Sequence, residues 1–325
     1  MAKIEEQMFS DIYFTPERVA YIHDGETRYG LKELIADDLP QFREALEAAY
    51  SGRSSYSLNF GSTMYRVERV TTLTGIHYSA RRMPRKVPEI TRLGLPEPLT
   101  NHLLSLNKES GLLLWGGATG SGKTTAISCL LKKYLDREGG FAYTIEDPPE
   151  MPLDGVYQSK RGGLGLCKQT EPVNNDWGES LKSVLRCRPR YILVGEIRTP
   201  ECASQILRAS TSGHLVLSTI HANSVEDALN SVVKYATASG LNEELACDLL
   251  GRGILGVVHQ KLQGIKTVYP ETRFVFANPD PMQADQLRIS VRDGQMALGT
   301  LMESQSAKMF RGIPMFNTPE KKLNG

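Results

Sequence analysis

Apolar residues in the second half of the chain fall into short continuous runs, and the stretches between these runs have helical spacing. The runs are LLLW at 112–115, FAYTI at 141–145, YILV at 191–194 and LVLST at 215–219. Continuous apolar runs of this length predict strands that are buried on both faces. Their alternation with helical periods predicts an α/β domain, in which helices cover a parallel sheet.

The first 83 residues show a different pattern, with strand-like segments grouped together. VAYIH, an Asp24-Gly25 turn and ETRYG predict a hairpin, and apolar residues from Leu39 to Tyr50 have the spacing of one helix. Three further strands are predicted at YSLNF, MYRVERV and GIHYSARRM. This part of the chain is therefore predicted to be a smaller α+β domain.

Prolines mark the change between the two patterns. Four of them lie in RMPRKVPEITRLGLPEP, where they restrict the backbone and cannot continue a sheet. We predict the α+β domain at 1–83, a linker at 84–98, the α/β domain at 99–315 and a polar tail at 316–325. Within the last part, a helix is expected around 293–310.

Composition narrows the class of protein. The chain has 325 residues, a net charge of +1 and 40% apolar residues, which is typical of globular proteins and lacks the positive charge of a dedicated nucleic-acid binder. The first residues include acids where a signal peptide needs an apolar core, and no apolar run is long enough to span a bilayer, so a cytoplasmic location is expected. Five scattered cysteines argue against disulfides and against a zinc module.

The most specific motif is GATGSGKT at 117–124, which fits the phosphate-binding pattern G-x-x-x-x-G-K-[ST]. Backbone N–H groups of such a loop converge on phosphates at a helix N-terminus, Lys123 can reach the β and γ phosphates, and Thr124 can ligate Mg²⁺. The predicted nucleotide-binding residues are Gly117, Thr119, Gly120, Ser121, Gly122, Lys123, Thr124 and Thr125. ATP and Mg²⁺ are the expected ligands.

Acidic residues follow two of the later strands. FAYTI runs into Glu146 and Asp147, and YILV runs into Gly195 and Glu196. The carboxyl ends of parallel strands share one edge of a sheet, which is where ligands bind in open α/β folds. Glu196 is therefore predicted to take a proton from the attacking water, and Glu146 and Asp147 to hold Mg²⁺ or its water shell.

Two histidines bracket the LVLST strand. Seven positions separate His214 from His221, which places the two imidazoles near opposite ends of the strand and argues against a shared zinc ion. A histidine at the strand end could sense the γ phosphate. A structural, hydrogen-bonded histidine is the alternative for each.

Four blocks in this order, GATGSGKT, TIEDPPE, ILVGEIR and SGHLVLSTIHANS, resemble the secretion ATPases of the PilT and GspE types. There they are called Walker A, Asp box, Walker B and His box. HQKL resembles the family's Q-x-L, and Arg-Pro-Arg before YILV resembles the DotB and TraJ branch of type IVB secretion and conjugation. Thr199 and Pro149 depart from the family pattern without removing a catalytic carboxylate.

This resemblance implies a hexameric cytoplasmic motor whose chains have a PAS-like N-terminal domain and a RecA-like ATPase domain, with ATP between the two. It implies Glu146 as the Asp-box acid, Glu196 as the general base and His221 as the catalytic member of the His box. Arginine fingers are expected from the N-terminal domain, and the candidates are Arg66, Arg69, Arg81 and Arg82, with Arg66 and Arg81 preferred. The implied partners are identical subunits and inner-membrane components of a secretion or conjugation complex.

Other functions remain open at this stage. A PilT-like pilus retraction motor would share every motif, and a RecA-like DNA translocase would share the ring and the phosphate-binding loop. The near-neutral charge counts against the translocase. A small-molecule kinase or a GTPase is a further alternative, of which the GTPase is disfavoured because the stretch NKES at 107–110 lacks the Asp that would recognise guanine. A nucleotide-gated scaffold without turnover is the non-enzymatic alternative.

Overall fold

The computed structural model describes residues 2–23, 30–264, 268–280, 283 and 285–316. They form two compact units. The N-terminal unit comprises Met1–Val87 together with Asp147–Pro152, and the C-terminal unit comprises Pro88–Glu146 and Leu153–Gly325. The change from one unit to the other at Val87 lies within the predicted linker, whereas no sequence pattern indicated that Asp147–Pro152 would pack with the N-terminal unit.

The N-terminal unit is built on an antiparallel sheet of six strands among the residues described. Its strand order is β3-β2-β1-β6-β5-β4. The elements are β1 Asp11–Phe14, β2 Ala20–His23, β3 Leu31–Glu33, α1 Leu39–Ala48, β4 Ser55–Phe60, β5 Thr63–Thr72 and β6 Gly75–Arg82. This is the predicted α+β architecture.

One face of that sheet carries the core of the unit. Side chains alternate along β5, so Tyr65 and Val67 are completely buried while their neighbours are more exposed. Phe42 of α1 packs edge-on against the rings of Tyr65 and Phe60, with ring centroids 4.8 and 4.9 Å apart. Burial of these aromatic rings fixes the helix on the sheet and leaves the other face to polar residues.

The predicted hairpin near the N-terminus is confirmed in part. β2 pairs with β3 in antiparallel register, with Tyr21 opposite Glu33. The Asp24-Gly25 turn and most of ETRYG lie outside the described residues. The described strand that pairs with β2 is Leu31–Glu33, which follows directly after the predicted segment.

The C-terminal unit contains an eight-stranded sheet in the described part of the chain, with the order β14-β13-β7-β12-β11-β8-β10-β9. Its strands are β7 Gly111–Gly117, β8 Gly140–Ile145, β9 Gly155–Gln158, β10 Leu164–Thr170, β11 Tyr191–Val194, β12 Leu215–His221, β13 Ile254–Gln263 and β14 Tyr269–Phe276. The six inner strands are parallel, and β14 and β9 are antiparallel to their neighbours.

Helices cover this sheet. They are α2 Glu97–Ser105, α3 Lys123–Glu138, α4 Trp177–Arg186, α5 Pro200–Ser210, α6 Val225–Ala238, α7 Glu243–Gly253, α8 Gln286–Arg292 and α9 Gly299–Phe310. Every residue of β7 and β11 is buried, as the continuous apolar runs predict. The single helix expected around 293–310 is wrong in its start, because residues between α8 and α9 form a turn at Gly294. No helix among the described residues has the length and hydrophobicity to cross a membrane.

Candidate nucleotide-binding site

The predicted phosphate-binding loop connects β7 to α3 and has the backbone that such a loop requires. Gly122 has a φ of 85° and immediately precedes the first helical residue, Lys123. Gly117 is required for a different reason, because a Cβ there would lie 2.4 Å from the carbonyl oxygen of Gln260. Only glycine tolerates both the left-handed conformation and this close approach. The loop therefore brings backbone N–H groups to the N-terminus of a four-turn helix, where anions bind.

Lys123 is buried and its ammonium group is held inside the loop. Nζ donates to the carbonyl oxygens of Gly117 at 2.9 Å and Ala118 at 2.8 Å. A buried ammonium needs such oxygens, because desolvation of an unpaired charge is costly. The same arrangement keeps the charge beside the backbone N–H groups of the loop. Thr124 and Thr125 follow in the first helical turn and are half-buried.

The order of strands decides which predicted residues share the carboxyl edge of the sheet. β12 lies directly beside β7, and its last residue, His221, is in register with Gly117. Next comes β11, which leads into Glu196, and then β8, which leads into Glu146. At about 4.8 Å per strand, β8 lies roughly 14 Å from β7. The histidine strand, rather than an acid-bearing strand, is the direct neighbour of the phosphate-binding loop.

Glu146 and the turn before Glu196 are in contact. A Cβ on Gly195 would lie 3.2 Å from Cγ of Glu146, and the Gly195 N–H donates to the carbonyl oxygen of Ile145 at 2.9 Å. Glycine at this position therefore allows the acid-bearing ends of β8 and β11 to lie side by side. The sequence prediction that the acids meet at one sheet edge agrees with this geometry.

Glu146 is almost completely buried, with 2% of its surface exposed. Gln169 of β10 donates from Nε2 to Glu146 Oε1 at 2.8 Å, and its own Oε1 accepts from the N–H of Leu153 at 3.0 Å. The amide therefore bridges the carboxylate to the backbone after the Asp box. Sequence reasoning missed Gln169, because a lone glutamine in a strand carries no recognisable signal.

Glu196 is more accessible than Glu146, with 22% of its side chain exposed. Its carboxylate accepts a short hydrogen bond from Nε of Arg198, which is itself mostly exposed. The turn that carries it is anchored on β12, since the Ile197 N–H donates to the Thr219 carbonyl and the Thr219 hydroxyl donates to the Gly195 carbonyl. A carboxylate on a fixed turn, reachable by solvent, suits proton transfer from water.

The two histidines of the His box differ in their surroundings. His214 precedes β12, and its Nδ1 lies 2.6 Å from the carbonyl oxygen of Pro189, which is a structural contact. His221 is exposed at the other end of the strand. Their placement at opposite ends agrees with the expectation from spacing. No group of three or more metal-ligating His, Cys, Asp or Glu side chains occurs in the described part of the chain.

The four candidate arginines of the N-terminal unit separate onto two faces of its sheet. Arg69 and Arg82 lie on the core side, where Arg69 covers the ring of Tyr50 and Arg82 donates to the carbonyl oxygens of Gln7 and Ile4. Both have structural contacts that account for their positions.

Arg66 and Arg81 lie opposite each other on β5 and β6, on the face away from the core. Arg66 forms an ion pair with Glu150 at 3.7 Å, and Arg81 forms one with Asp11 at 2.8 Å. The hydrogen bond and charge of Asp11 raise the pKa of the Arg81 guanidinium. Two guanidinium groups therefore lie side by side on this face, each paired with a carboxylate.

Asp147 follows Glu146 directly but packs with the N-terminal unit. Its Oδ1 accepts from Nη2 of Arg53 at 2.8 Å. Arg53 lies just before β4 and was not among the predicted arginines, because it falls outside every strand pattern. Glu146 and Asp147 therefore do not form one carboxylate pair. The first is held by Gln169 in the C-terminal unit and the second by Arg53 in the N-terminal unit.

The fold and the loop together define a protein of the RecA-like P-loop class. Residues 51–298 match the family model described as "Type II/IV secretion system protein". This is more than half of the chain, so the chain belongs to that family. The family prediction made from the four motifs is confirmed.

Curated relatives and solved structures agree with this assignment. The type II secretion system protein E of Dickeya dadantii is 33% identical over 189 residues, which are 57% of this chain and 34% of that protein. The chain thus spans about a third of the length of this relative. The crystal structure of the pilus retraction motor PilT with bound ADP covers 97% of this chain and 91% of its own, with a TM-score of 0.69 and 24% identity. The structure of the ATPase DotB from Legionella pneumophila matches 95% of this chain over 90% of its own length, with a TM-score of 0.69 and 19% identity. At these identities the two structures support the fold.

Proposed function

We propose that this protein is a Mg²⁺-dependent ATPase that powers type IV secretion of the IVB type or conjugative transfer, as a cytoplasmic hexamer at an inner-membrane complex. One observation carries the proposal. The phosphate-binding loop, His221, Glu196 and Glu146 lie at the carboxyl ends of four neighbouring strands, at one edge of one sheet. A nucleotide bound by the loop then has a base and a second acid on the same side of the sheet.

In this proposal the loop from Gly117 to Thr125 binds the phosphates, and Lys123 exchanges its two carbonyl partners for phosphate oxygens. Glu196 accepts the proton of the attacking water, because it is the solvent-reachable carboxylate at the edge. His221 lies on the strand beside the loop and senses the γ phosphate. The products are ADP and phosphate.

The residues present fit a magnesium ion. Mg²⁺ prefers oxygen ligands, and it keeps several waters while binding substrate phosphates. Thr124 supplies a hydroxyl in the first turn of α3, and Glu146 supplies a buried carboxylate whose orientation is set by Gln169. Asp147 would contribute through water. When bound, the ion would neutralise charge on the phosphates.

Arg66 and Arg81 are proposed to supply positive charge to the transferring phosphoryl group. Their adjacent positions on an exposed face support this role, since a guanidinium can bind phosphate oxygens with two parallel N–H groups.

A PilT-like retraction motor is the second candidate, since the fold of PilT covers nearly the whole chain. A DNA translocase is the third and is disfavoured by the net charge of +1. The same chemistry would serve all three, and the difference lies in the cargo and in the membrane component bound.

The test is an ATPase assay on the purified chain with Mg²⁺ and with EDTA, combined with mass measurement with and without a nonhydrolysable ATP analogue. We expect Mg²⁺-dependent release of phosphate and a mass of six chains. Binding of ATP without turnover would replace the motor by a nucleotide-gated scaffold. Stimulation of the rate by DNA, suppressed by salt, would favour the translocase.

A further inference from the structure

A buried glutamine on β13 binds a backbone carbonyl of the phosphate-binding loop. Gln260 is 4% exposed, and its Nε2 donates to the carbonyl oxygen of Ser121 at 2.6 Å. Its Oε1 accepts from Nε1 of Trp115 at 3.0 Å. Trp115 lies on β7 and is completely buried. One side chain therefore joins two strands of the sheet to the middle of the loop.

The tryptophan determines which way the glutamine amide points. An indole N–H can only donate, so the partner of Trp115 must be the amide oxygen of Gln260. The amide nitrogen is thereby left facing Ser121, whose carbonyl can only accept. The hydrogen-bonding pattern thus allows one orientation of the amide and excludes the flipped one.

The bond to Ser121 also determines the direction of a loop N–H group. The Ser121 carbonyl and the Gly122 N–H belong to one planar trans peptide, so they point in opposite directions. Because Gln260 binds the carbonyl, it turns the Gly122 N–H away from β13. Gly122 lies at the N-terminus of α3, where N–H groups bind phosphate.

Two glycines of the loop lie in close contact with Gln260. A Cβ on Gly122 would lie 2.9 Å from the side-chain Nε2 of Gln260, and one on Gly117 would lie 2.4 Å from the backbone carbonyl oxygen of Gln260. Two of the motif glycines thus leave the space that Gln260 occupies. The contact at Gly122 is with the Gln260 side chain, whereas the contact at Gly117 is with the backbone and would remain with any residue at this position.

We propose that Gln260 is a positioning residue for nucleotide binding, which holds the Ser121–Gly122 peptide in the phosphate-binding orientation and is itself oriented by Trp115. This inference rests on the proposed ATPase function. Loss of the Gln260 side chain should weaken nucleotide binding in the ground state and in the transition state alike. We therefore expect a raised KM for ATP and a smaller change in kcat.

The chain offers a matched control in Gln305 of α9, which is also 4% exposed. Its Oε1 accepts from the Phe276 N–H at 2.8 Å and its Nε2 donates to the Phe276 carbonyl at 2.7 Å. Its amide therefore also bridges two elements, but it contacts β14 instead of the loop. Gln305→Leu removes a buried amide of the same kind.

The experiment measures the MgATP dependence of hydrolysis for the full-length wild type, Gln260→Leu, Trp115→Phe and Gln305→Leu, with circular dichroism as a check on folding. We expect KM to rise about tenfold in Gln260→Leu, since a lost hydrogen bond in a preorganised loop has effects of this order. Trp115→Phe should raise KM by a smaller factor, and Gln305→Leu should leave it within about twofold of wild type.

An unchanged KM in Gln260→Leu, or an equal rise in Gln305→Leu, would overturn the inference. If Gln260→Leu does not fold, Trp115→Phe decides: a raised KM supports the proposal and a native one refutes it. Absence of hydrolysis by the wild type would instead refute the proposed ATPase function. The two failures are therefore distinguishable.

Discussion

The two units hold their polar residues in different ways. In the C-terminal unit, Lys123 and Glu146 are buried and are bound by carbonyl oxygens and by an amide. In the N-terminal unit, Arg66 and Arg81 are on the surface and are bound by carboxylates of the same unit. Buried groups with short-range partners are arranged before a ligand arrives, whereas surface ion pairs exchange partners at little cost. We infer that the C-terminal unit provides a preformed site. The N-terminal unit provides arginine charges whose partners can change.

The largest effect should come from the buried ammonium. Lys123→Ala should reduce ATP turnover by on the order of a thousandfold, because the phosphates lose the charge that faces them. Lys133→Ala is the matched control, since it removes a charge ten residues further along α3, where the side chain pairs with Glu89. A phosphate-release assay checks both. Wild-type turnover in Lys123→Ala would show that the loop is not the catalytic phosphate site.

Glu196→Gln should separate binding from chemistry. We expect hydrolysis to fall by about a hundredfold or more while nucleotide affinity is retained, because the water loses its base but the loop is intact. Glu201→Gln alters an exposed acid at the start of α5 and should have no effect. Equilibrium binding of fluorescent ADP and single-turnover hydrolysis measure the two steps. Normal hydrolysis by Glu196→Gln would move the base to another carboxylate, with Glu146 the first to test.

The arginines test the other side of the comparison. Arg66→Ala should lower kcat about tenfold or more without changing the melting temperature by more than a few degrees, since its ion pair is on the surface. Arg69→Ala is the internal control: it lies three residues further along β5 on the opposite face, over Tyr50, and should leave kcat unchanged. Equal kcat values for the two variants would show that Arg66 has no role in catalysis.

The smallest expected effect is the loss of stability at low pH that results from the burial of one histidine in the C-terminal unit. His102 of α2 packs against the ring of Phe276, and burial lowers its pKa from 6.5 to about 4. Below pH 6.5 the unfolded chain binds a proton that folded His102 does not accept until about pH 4. Its contribution to stability is therefore complete above pH 6.5 and decreases as the pH falls toward 4.

Between pH 7 and pH 5 this linkage corresponds to about 1–2 kcal/mol of unfolding free energy. His102→Leu should therefore lose less stability than the wild type over this interval, as measured by urea unfolding at both pH values. Parallel loss of stability in the two proteins would mean that His102 titrates normally in the folded state.

Local patterns in the sequence predicted most of the site. The apolar runs identified β7, β8, β11 and β12, and the residues that follow them identified the loop, both acids and the histidine. The reason is that a strand buried on both faces needs continuous apolar side chains. In open α/β sheets, ligand-binding residues lie directly after the carboxyl ends of such strands. β9, β10, β13 and β14 were not identified. β9 and β10 have mixed residues without such a run, whereas the apolar runs ILGVV of β13 and FVF of β14 were present and were missed.

The missed strands carry the residues that hold the site in place. Gln169 lies on β10 and Gln260 on β13, and each acts on a group distant in sequence. Likewise, strand alternation separates Arg66 from Arg69 and Arg81 from Arg82, but the face that is exposed depends on where α1 packs.

The sequence by itself determined the class of protein and the groups that are candidates for its chemistry, because glycine, lysine, hydroxyl and carboxylate groups occur at fixed spacing along single strand-to-helix turns. Only the tertiary structure decided which strand lies beside the phosphate-binding loop, which amides orient the lysine-bearing loop and the buried acid, and which arginines remain exposed. Those properties depend on strand order and on contacts between residues far apart in the chain, and a short local pattern encodes neither.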